Sequence, residues 1–359
     1  MKIFLVIPTL VQGGAERVIS ELANQFSQQG VEVHLTLLAK AEDFYSIDSN
    51  VIVHRLGFVN NGRVQKVVSE IKTFLKLRKL FKEHKPDAVL SFMDKYNVFT
   101  ILASRFLDLR VFVSDRSNPN LKLSRSLSAL KKLTYRHATG IIAQTSLAKD
   151  ILEHFTGNKN IKVIPNPVKE VQLYPDLVRE NIIINVGRLV PEKGQKYLLQ
   201  SFSNLNLDDW RLVILGDGPL RPELEKQVLE LGLEGKVIMP GSVNNVDEWL
   251  AKAKIFAFSS ISEGFPNALV EAMAAGLPCV SFDCDAGPRD IIENDVNGFL
   301  IETNNIDELV DRILILISNS SLENKFSLNS LKVRDKYNVE SIGSEYIEFI
   351  SESNRVDTV

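Results

Sequence analysis

Cysteine is almost missing from this chain: Cys279 and Cys284 are the only two in 359 residues. Two thiols with four residues between them, and no second Cys/His pair beside them, make a poor zinc site and are read as reduced thiols. Long apolar runs are missing too. No stretch approaches the roughly 18 residues that span a bilayer. The opening Ile3-Phe4-Leu5-Val6-Ile7 is closed by Pro8 and lacks the longer apolar region and small-residue cleavage site of a signal peptide. The expected location is the cytoplasm. Five histidines form no His-x-His or His-Glu-x-x-His pattern. There is no GxGxxG fingerprint, no P-loop, no Gly-x-Ser-x-Gly elbow and no Cys/His nucleophile signature. Asp283-Cys284-Asp285 has no third ligand at suitable spacing, so no metal site is expected.

Strong net charge is also absent, at −3 overall, which argues against a dedicated nucleic-acid binder. The halves differ, however. Residues 1–168 carry 24 basic and 14 acidic side chains, and the remainder 18 and 31. A split of that size points the first half toward something anionic. The tract Arg63 to Lys85 interleaves Lys66, Lys72, Lys76, Arg78, Lys79, Lys82 and Lys85 with Val67, Val68, Ile71, Phe74, Leu75, Leu77, Leu80 and Phe81. It reads equally as a basic amphipathic helix on an anionic membrane or as a helix packed on its own sheet.

A length of 359 residues, 45% apolar and 24% charged, suits two globular domains. Lys2 to Pro8 reads as a buried strand, followed by a helix with Ala15, Val18, Leu22 and Phe26 on one face and Gly30 at its end. Val31 to Leu38 is the next strand, and this βαβ unit implies a parallel sheet. Further strands are expected at Asp87–Phe92, Val111–Ser114, Gly140–Gln144 and Ile161–Ile164. Pro165-Asn166-Pro167 makes a stiff linker. A second series follows at Asn181–Val186, Trp210–Leu215, Val237–Met239, Ile255–Ser259 and Pro278–Phe282, with late helices at Asp307–Ser318 and Ser341–Glu352. The expected class is α/β, with two Rossmann-like doubly wound domains facing a cleft. These are 1–166, 167–335, and a terminal helix in 336–359 that crosses back to the first. Ligands of such domains bind at the carboxyl ends of the strands.

Four segments there can carry chemistry. Ser262-Glu263-Gly264-Phe265-Pro266-Asn267 follows a strand and opens a helix that holds Leu269 and Glu271 and ends near Gly276. Amides near Phe265 to Ala268 offer an electropositive nest for a phosphate or sugar hydroxyls. Against this stands a plainer view, with Glu263 complementing the helix dipole and Glu271 merely solvated. In Val186-Gly187-Arg188 to Lys193-Gly194, the two cations can reach a diphosphate, or they are surface charges. Gly13-Gly14 permits close backbone approach at a helix start, though any tight turn wants glycine. Gly216-Asp217-Gly218-Pro219 is a turn of similar weight.

Together, Gly13-Gly14-Ala15-Glu16-Arg17, Val186-Gly187-Arg188 to Lys193-Gly194, Gly216-Asp217-Gly218-Pro219 and the Glu263/Glu271 pair resemble the retaining glycosyltransferases of the GT-B fold. That large family includes bacterial glycan, capsule and lipopolysaccharide transferases. The resemblance implies that Arg188 and Lys193 hold the donor diphosphate and offset charge on the leaving group, with no divalent metal and no cofactor. It implies that Glu271 binds the ribose, that Leu269 belongs to the donor-binding set, and that Glu263 contacts the donor sugar with Gly264, Phe265, Pro266 and Asn267. Gly13 and Gly14 would approach the phosphates, and Met239 to Val243 would seat the base. Many members place a His after the strand matching Val111-Phe112-Val113. Here Ser114-Asp115-Arg116-Ser117-Asn118-Pro119 stands instead, so Arg116 or Asp115 occupies that neighbourhood, with Arg116 as the catalytic candidate.

The implied substrates are a UDP-sugar and a polyprenyl-diphosphate-linked or other saccharide, met at the inner face of the plasma membrane through the basic first domain. N-acetylgalactosamine is the preferred sugar, because the segments around Gly13 and Arg116 look like those of transferases building polyprenyl-linked GalNAc chains. The rival readings are a sugar-nucleotide epimerase of the same build and a non-catalytic sugar-nucleotide-binding protein.

Overall fold

The structure is a computed structural model describing residues 1–58, 62–174 and 176–352. The chain divides into two compact units, residues 1–167 with 339–359 and residues 168–338.

The first unit alternates strands and helices: β1 (Lys2–Ile7), α1 (Gly14–Gln28), β2 (Glu32–Ala39), β3 (Ile52–Phe58), α2 (Arg63–His84), β4 (Ala88–Phe92), α3 (Asp94–Ser104), β5 (Val111–Ser114), α4 (Arg125–Tyr135), β6 (Gly140–Ala143), α5 (Ser146–Thr156) and β7 (Ile161–Val163). The strands form one parallel sheet in the order β3-β2-β1-β4-β5-β6-β7. Central strands such as β1 and β4 are near-continuous apolar runs because helices cover both faces. Gly30 lies just past α1 with φ +79°, a left-handed position that lets the chain turn directly into β2.

The second unit runs β8 (Ile182–Val186), α6 (Gln195–Asn204), β9 (Arg211–Leu215), α7 (Arg221–Glu230), β10 (Val237–Gly241), α8 (Val246–Lys252), β11 (Ile255–Phe258), α9 (Asn267–Ala274), β12 (Cys279–Phe282), α10 (Pro288–Ile291), β13 (Gly298–Ile301), α11 (Ile306–Ser318), α12 (Ser320–Ser330) and α13 (Val333–Lys336). Its parallel sheet has the order β10-β9-β8-β11-β12-β13, the doubly wound arrangement of dinucleotide-binding folds. Strand order reverses between β8 and β11, so their carboxyl ends flank a natural crevice. The core beneath is dry, with Leu189, Leu198, Phe202, Ile214, Phe282 and Leu309 all buried.

After Asn338 the chain returns to the first unit as α14 (Val339–Glu352). There Phe349 packs edge-on against Phe112, with ring centroids 5.5 Å apart, and Arg110 donates to the Ile350 carbonyl at 2.7 Å. A side chain at Gly140 would meet Phe349 at 2.8 Å, so glycine there admits the helix.

Two strands lie outside those expected from sequence. β3 is an edge strand in which His54, Arg55 and Gly57 break any apolar run, and β13 is only four residues long. The tract at 63–85 does form a helix, and one of its faces packs on its own sheet. Leu77 and Phe81 are buried against the sheet, whereas Val67, Val68, Ile71 and Leu75 are exposed on a second strip. No described helix is long and apolar enough to cross a membrane.

Candidate functional site

The candidate site is built by the loops that leave β8 and β11, at the point where strand order reverses. The β8 loop runs from Gly187 through a single 3-10 turn, Pro191–Lys193, to Gly194. The β11 loop is zipped to it: the Ile261 amide donates to the Glu192 carbonyl at 2.8 Å, and the Ser259 hydroxyl to the Lys193 carbonyl at 3.0 Å. Gly194 has φ +62°, and a Cβ there would stand 2.1 Å from the Ser259 carbonyl oxygen, so only glycine lets the loops touch.

That junction brings Lys193 Nζ to 2.6 Å from Glu263 Oε1. The Glu263 side chain is 7% exposed and that of Lys193 26%, so the carboxylate is the sequestered partner. The expected roles kept these residues apart, Lys193 on a diphosphate and Glu263 on a sugar. The fold makes them one ion pair, and a ligand taking Lys193 also frees or reorients Glu263. Arg188 is exposed, and its guanidinium has no partner among the described residues. Cys284 lies near the pair; burial, reinforced by the Glu263 charge, pushes its thiol up to about 12. Cys279 is also buried and its thiol is raised by desolvation, so neither cysteine is a nucleophile.

The β9 loop closes the crevice from the other side. A Cβ on Gly216 would meet the Gly187 carbonyl oxygen at 2.1 Å, and one on Gly218 the Leu189 carbonyl oxygen at 2.4 Å. The Leu189 amide also donates to the Asp217 carbonyl at 3.0 Å. The Gly-Asp-Gly turn, weak by itself in sequence, is thus what holds the Arg188 loop in place. Val243 follows edge strand β10, two strands from β8, and is half-buried.

At the mouth of α9 the expected nest is narrower than the sequence suggested. Pro266 caps the helix and has no N–H, while the Asn267 amide donates to the Phe265 carbonyl at 3.0 Å. The Gly264, Phe265 and Ala268 amides are those without a partner among the described residues. The Phe265 ring turns inward, 6.1 Å from that of Tyr337. Leu269 must be corrected: its side chain is fully buried and its amide donates to the Pro266 carbonyl, so it belongs to the core and not to ligand binding. Glu271 lies about one turn along α9 and is half-buried. Gly287 was missed by sequence. It has φ +103°, and a Cβ there would stand 2.2 Å from Pro266 Cδ, so it seats the proline that starts α9.

The residues assigned to the first unit are held differently. The Gly13 amide donates to the Tyr45 hydroxyl at 3.3 Å, and the space beside Gly13 is filled by the Glu16 carboxylate. Gly14 opens α1. Arg116 is anchored within its own unit: its guanidinium lies 3.8 Å over the Phe92 ring and donates to Asn166 and, at 2.5 Å, to the Tyr346 hydroxyl of α14. Arg116, the catalytic candidate of the sequence, is thus held by partners within its own unit. Asp115 is likewise engaged, accepting from Lys131 at 2.5 Å and from Tyr135 at 2.6 Å. Asp283 is paired with Arg289 at 2.7 Å and leaves no acidic cluster for a metal among the described residues.

Comparison with known proteins bears on this arrangement. Residues 175–333 match the family model described as "Glycosyl transferases group 1", and residues 12–171 match "Glycosyltransferase Family 4". Over 98% of its length the chain is 30% identical to the GalNAc-alpha-(1->4)-GalNAc-alpha-(1->3)-diNAcBac-PP-undecaprenol alpha-1,4-N-acetyl-D-galactosaminyltransferase of Campylobacter jejuni, covering 99% of that protein. A second protein of that organism, the N-acetylgalactosamine-N,N'-diacetylbacillosaminyl-diphospho-undecaprenol 4-alpha-N-acetylgalactosaminyltransferase, is 26% identical over 93% of this chain and 95% of its own length. In structure, HepE of Anabaena, solved in complex with UDP, superposes with a TM-score of 0.83 at 19% identity, covering 98% of this chain and 100% of that one. Two doubly wound units, paired loops at the strand-order reversal and matches along nearly the whole sequence agree: the chain belongs to the GT-B glycosyltransferases of bacterial glycan biosynthesis.

Proposed function

We propose that this glycosyltransferase moves N-acetylgalactosamine from UDP-N-acetylgalactosamine to a polyprenyl-diphosphate-linked saccharide, with retention at the anomeric carbon and without a divalent metal. The observation that carries the reading is the Lys193–Glu263 pair beside exposed Arg188 at the β8/β11 reversal. Arg188 offers a planar fork and Lys193 a point charge to a diphosphate, and together they supply the positive charge that a departing UDP requires. Glu263, released as Lys193 turns to phosphate, is positioned to accept hydrogen bonds from sugar hydroxyls. Glu271, further along α9, takes the ribose. The choice of sugar follows the two Campylobacter jejuni relatives, whose names specify N-acetylgalactosaminyl transfer to undecaprenyl-linked acceptors.

The same reading places the protein at the inner face of the membrane. Val67, Val68, Ile71 and Leu75 form an exposed strip on α2, flanked by exposed Lys72, Lys76, Lys79 and Lys82. An apolar strip bordered by lysines suits an anionic lipid surface.

The test is a screen of UDP-, GDP- and ADP-sugars with a polyprenyl-diphosphate disaccharide acceptor, in the presence of EDTA. Turnover with UDP-N-acetylgalactosamine, and an α-linked product by NMR, are expected. Turnover only with a GDP- or ADP-sugar, or only after a divalent metal is restored, would overturn the corresponding part. Release of free epimerised sugar without acceptor would favour the epimerase. Sedimentation with phosphatidylglycerol vesicles should weaken in high salt, and indifference to lipid and salt would remove the membrane claim.

A further inference from the structure

Three of the five histidines, scattered at positions 34, 54 and 84, converge on one face of the first unit's sheet. His34 lies on β2, His54 on edge strand β3, and His84 at the last position of α2, which covers that face. In register, Phe4 stands beside His34 and Thr36 beside His54, so all four side chains share the face. The Phe4 ring stacks on His34 with centroids 4.4 Å apart, and on His54 at 5.6 Å. His84 meets His34 edge-on at 4.9 Å and His54 at 5.3 Å. One ring nitrogen of each histidine lies within 4.8 Å of those of the other two.

We propose that His34, His54 and His84 form a three-imidazole site for a divalent transition metal, best matched by zinc, remote in sequence and unit from the donor-binding loops. The donor chemistry fits. Imidazole is a favoured ligand of zinc, and three histidines with an open fourth position for solvent are a known zinc arrangement. His34 is buried while His54 and His84 are half-buried, leaving a route of entry from solvent.

The outer contacts fit as well. His34 Nδ1 faces His54 Nε2 at 2.8 Å, and His34 Nε2 lies 3.1 Å from the Glu32 carboxylate. Glu32 is in turn fixed by Lys2 at 3.1 Å. A histidine ligating through one nitrogen and donating from the other to a carboxylate is the outer-shell arrangement that orients metal-bound imidazoles. Lys2 is the nearby charge that opposes a cation, and its pairing with Glu32 offsets it.

In the metal-free protein the 2.8 Å contact needs a shared proton, so one ring donates and the other accepts. With His34 Nε2–H given to Glu32, the donor in that contact is His54 Nε2–H. Metal binding moves that proton to His54 Nδ1 and leaves both facing nitrogens as neutral ligands, with no net proton lost. Zn–N bonds of about 2.0–2.1 Å in tetrahedral geometry also require the rings to part by about half an ångström. A second observation supports the site. The Thr36 hydroxyl on this face is fully buried and has no hydrogen-bond partner among the described residues. Solvent on an open metal position is the kind of group that satisfies it. A metal here would tie edge strand β3 and the end of α2 to β2.

The experiment uses the full-length protein without a histidine tag, stripped with EDTA and reloaded with zinc. Elemental analysis after gel filtration should find one zinc per chain, with a melting temperature several degrees above that of the stripped protein. Cobalt substitution should give the visible absorption of a tetrahedral site. His54→Gln and His84→Gln, at half-buried positions, should each lower zinc affinity at least tenfold with the far-ultraviolet spectrum unchanged. The His137→Gln/His154→Gln double variant, at exposed positions, should bind as the parent does. Less than one retained zinc in the parent, or undiminished binding in both site variants, would overturn the proposal. Sugar transfer in EDTA tests a separate claim, because it reads turnover and not metal content.

Discussion

Lys193 and Glu263 are 70 residues apart in sequence, and their side chains meet at 2.6 Å where the loops after β8 and β11 are laced together. A cation and a sequestered carboxylate meet at the reversal point of a doubly wound sheet; under the proposed function an incoming diphosphate would compete with Glu263 for Lys193.

Breaking that pair should cost catalysis more than stability. Lys193→Ala is expected to lower kcat/KM for sugar transfer by about 100- to 1,000-fold, the usual loss when one preorganised charge facing a leaving group is removed. Glu263→Gln should lower it as well, and the double variant should fall short of the product of the two effects, because the partners act on one another. A UDP-release assay with lipid-linked acceptor measures all three. Full additivity would show that the two act independently.

Gly194→Ala forces a side chain onto a backbone at φ +62° and into the Ser259 carbonyl. Both loops must move, so a stability loss of about 1–3 kcal/mol is expected, together with loss of transfer. Gly235 has φ +74° but open space around it, so Gly235→Ala should cost only the backbone strain, about 1 kcal/mol, and leave transfer intact. Chemical denaturation of the two variants separates strain from collision.

Tyr346→Phe removes the hydroxyl to which Arg116 donates at 2.5 Å and loosens α14 from the first unit. A loss of about 1–3 kcal/mol is expected from leaving a buried guanidinium nitrogen unpaired. Urea unfolding checks it, and unchanged stability would show that the contact carries no weight.

Lys131 bridges Asp94 and Asp115, each at 2.5 Å, with all three side chains about a tenth exposed. Lys131→Met leaves two carboxylates facing each other without a cation, at a cost of about 3–5 kcal/mol. Burial already raises the pKa of Asp115, with the Lys131 charge opposing the rise. A carboxyl whose folded pKa exceeds its unfolded one destabilises the fold as pH climbs between the two. Removing Lys131 widens that interval, so the variant's deficit should be largest at neutral pH and shrink toward about pH 4. A melting-temperature series over pH reads this directly.

Much of the architecture was legible because parallel strands buried on both faces spell out apolar runs. β1, β4, β8 and β11 all announce themselves in this way. β3 did not, since an edge strand keeps one side in solvent and tolerates His54 and Arg55. The placing of Arg188, Lys193 and Glu263 in loops that leave strand ends, with Glu271 on the following helix, was legible from the apolar runs and glycines around them. Leu269 was misread because motif position does not tell inward from outward on a helix. How Arg116 is held was not legible, because its partners, Asn166 and Tyr346, lie 50 and 230 residues away.

The sequence by itself determined two βαβ series, a charge division between them, and the glycine-flanked cations that leave the strand ends. Local patterning suffices for these, because periodicity, turn chemistry and charge act over a few residues. Only the tertiary structure decided that Lys193 and Glu263 form one pair, that Gly216, Gly218 and Gly287 pack the crevice loops, and that three distant histidines share a face. Each of these depends on which strands lie side by side, and strand order is set by packing over the whole sheet.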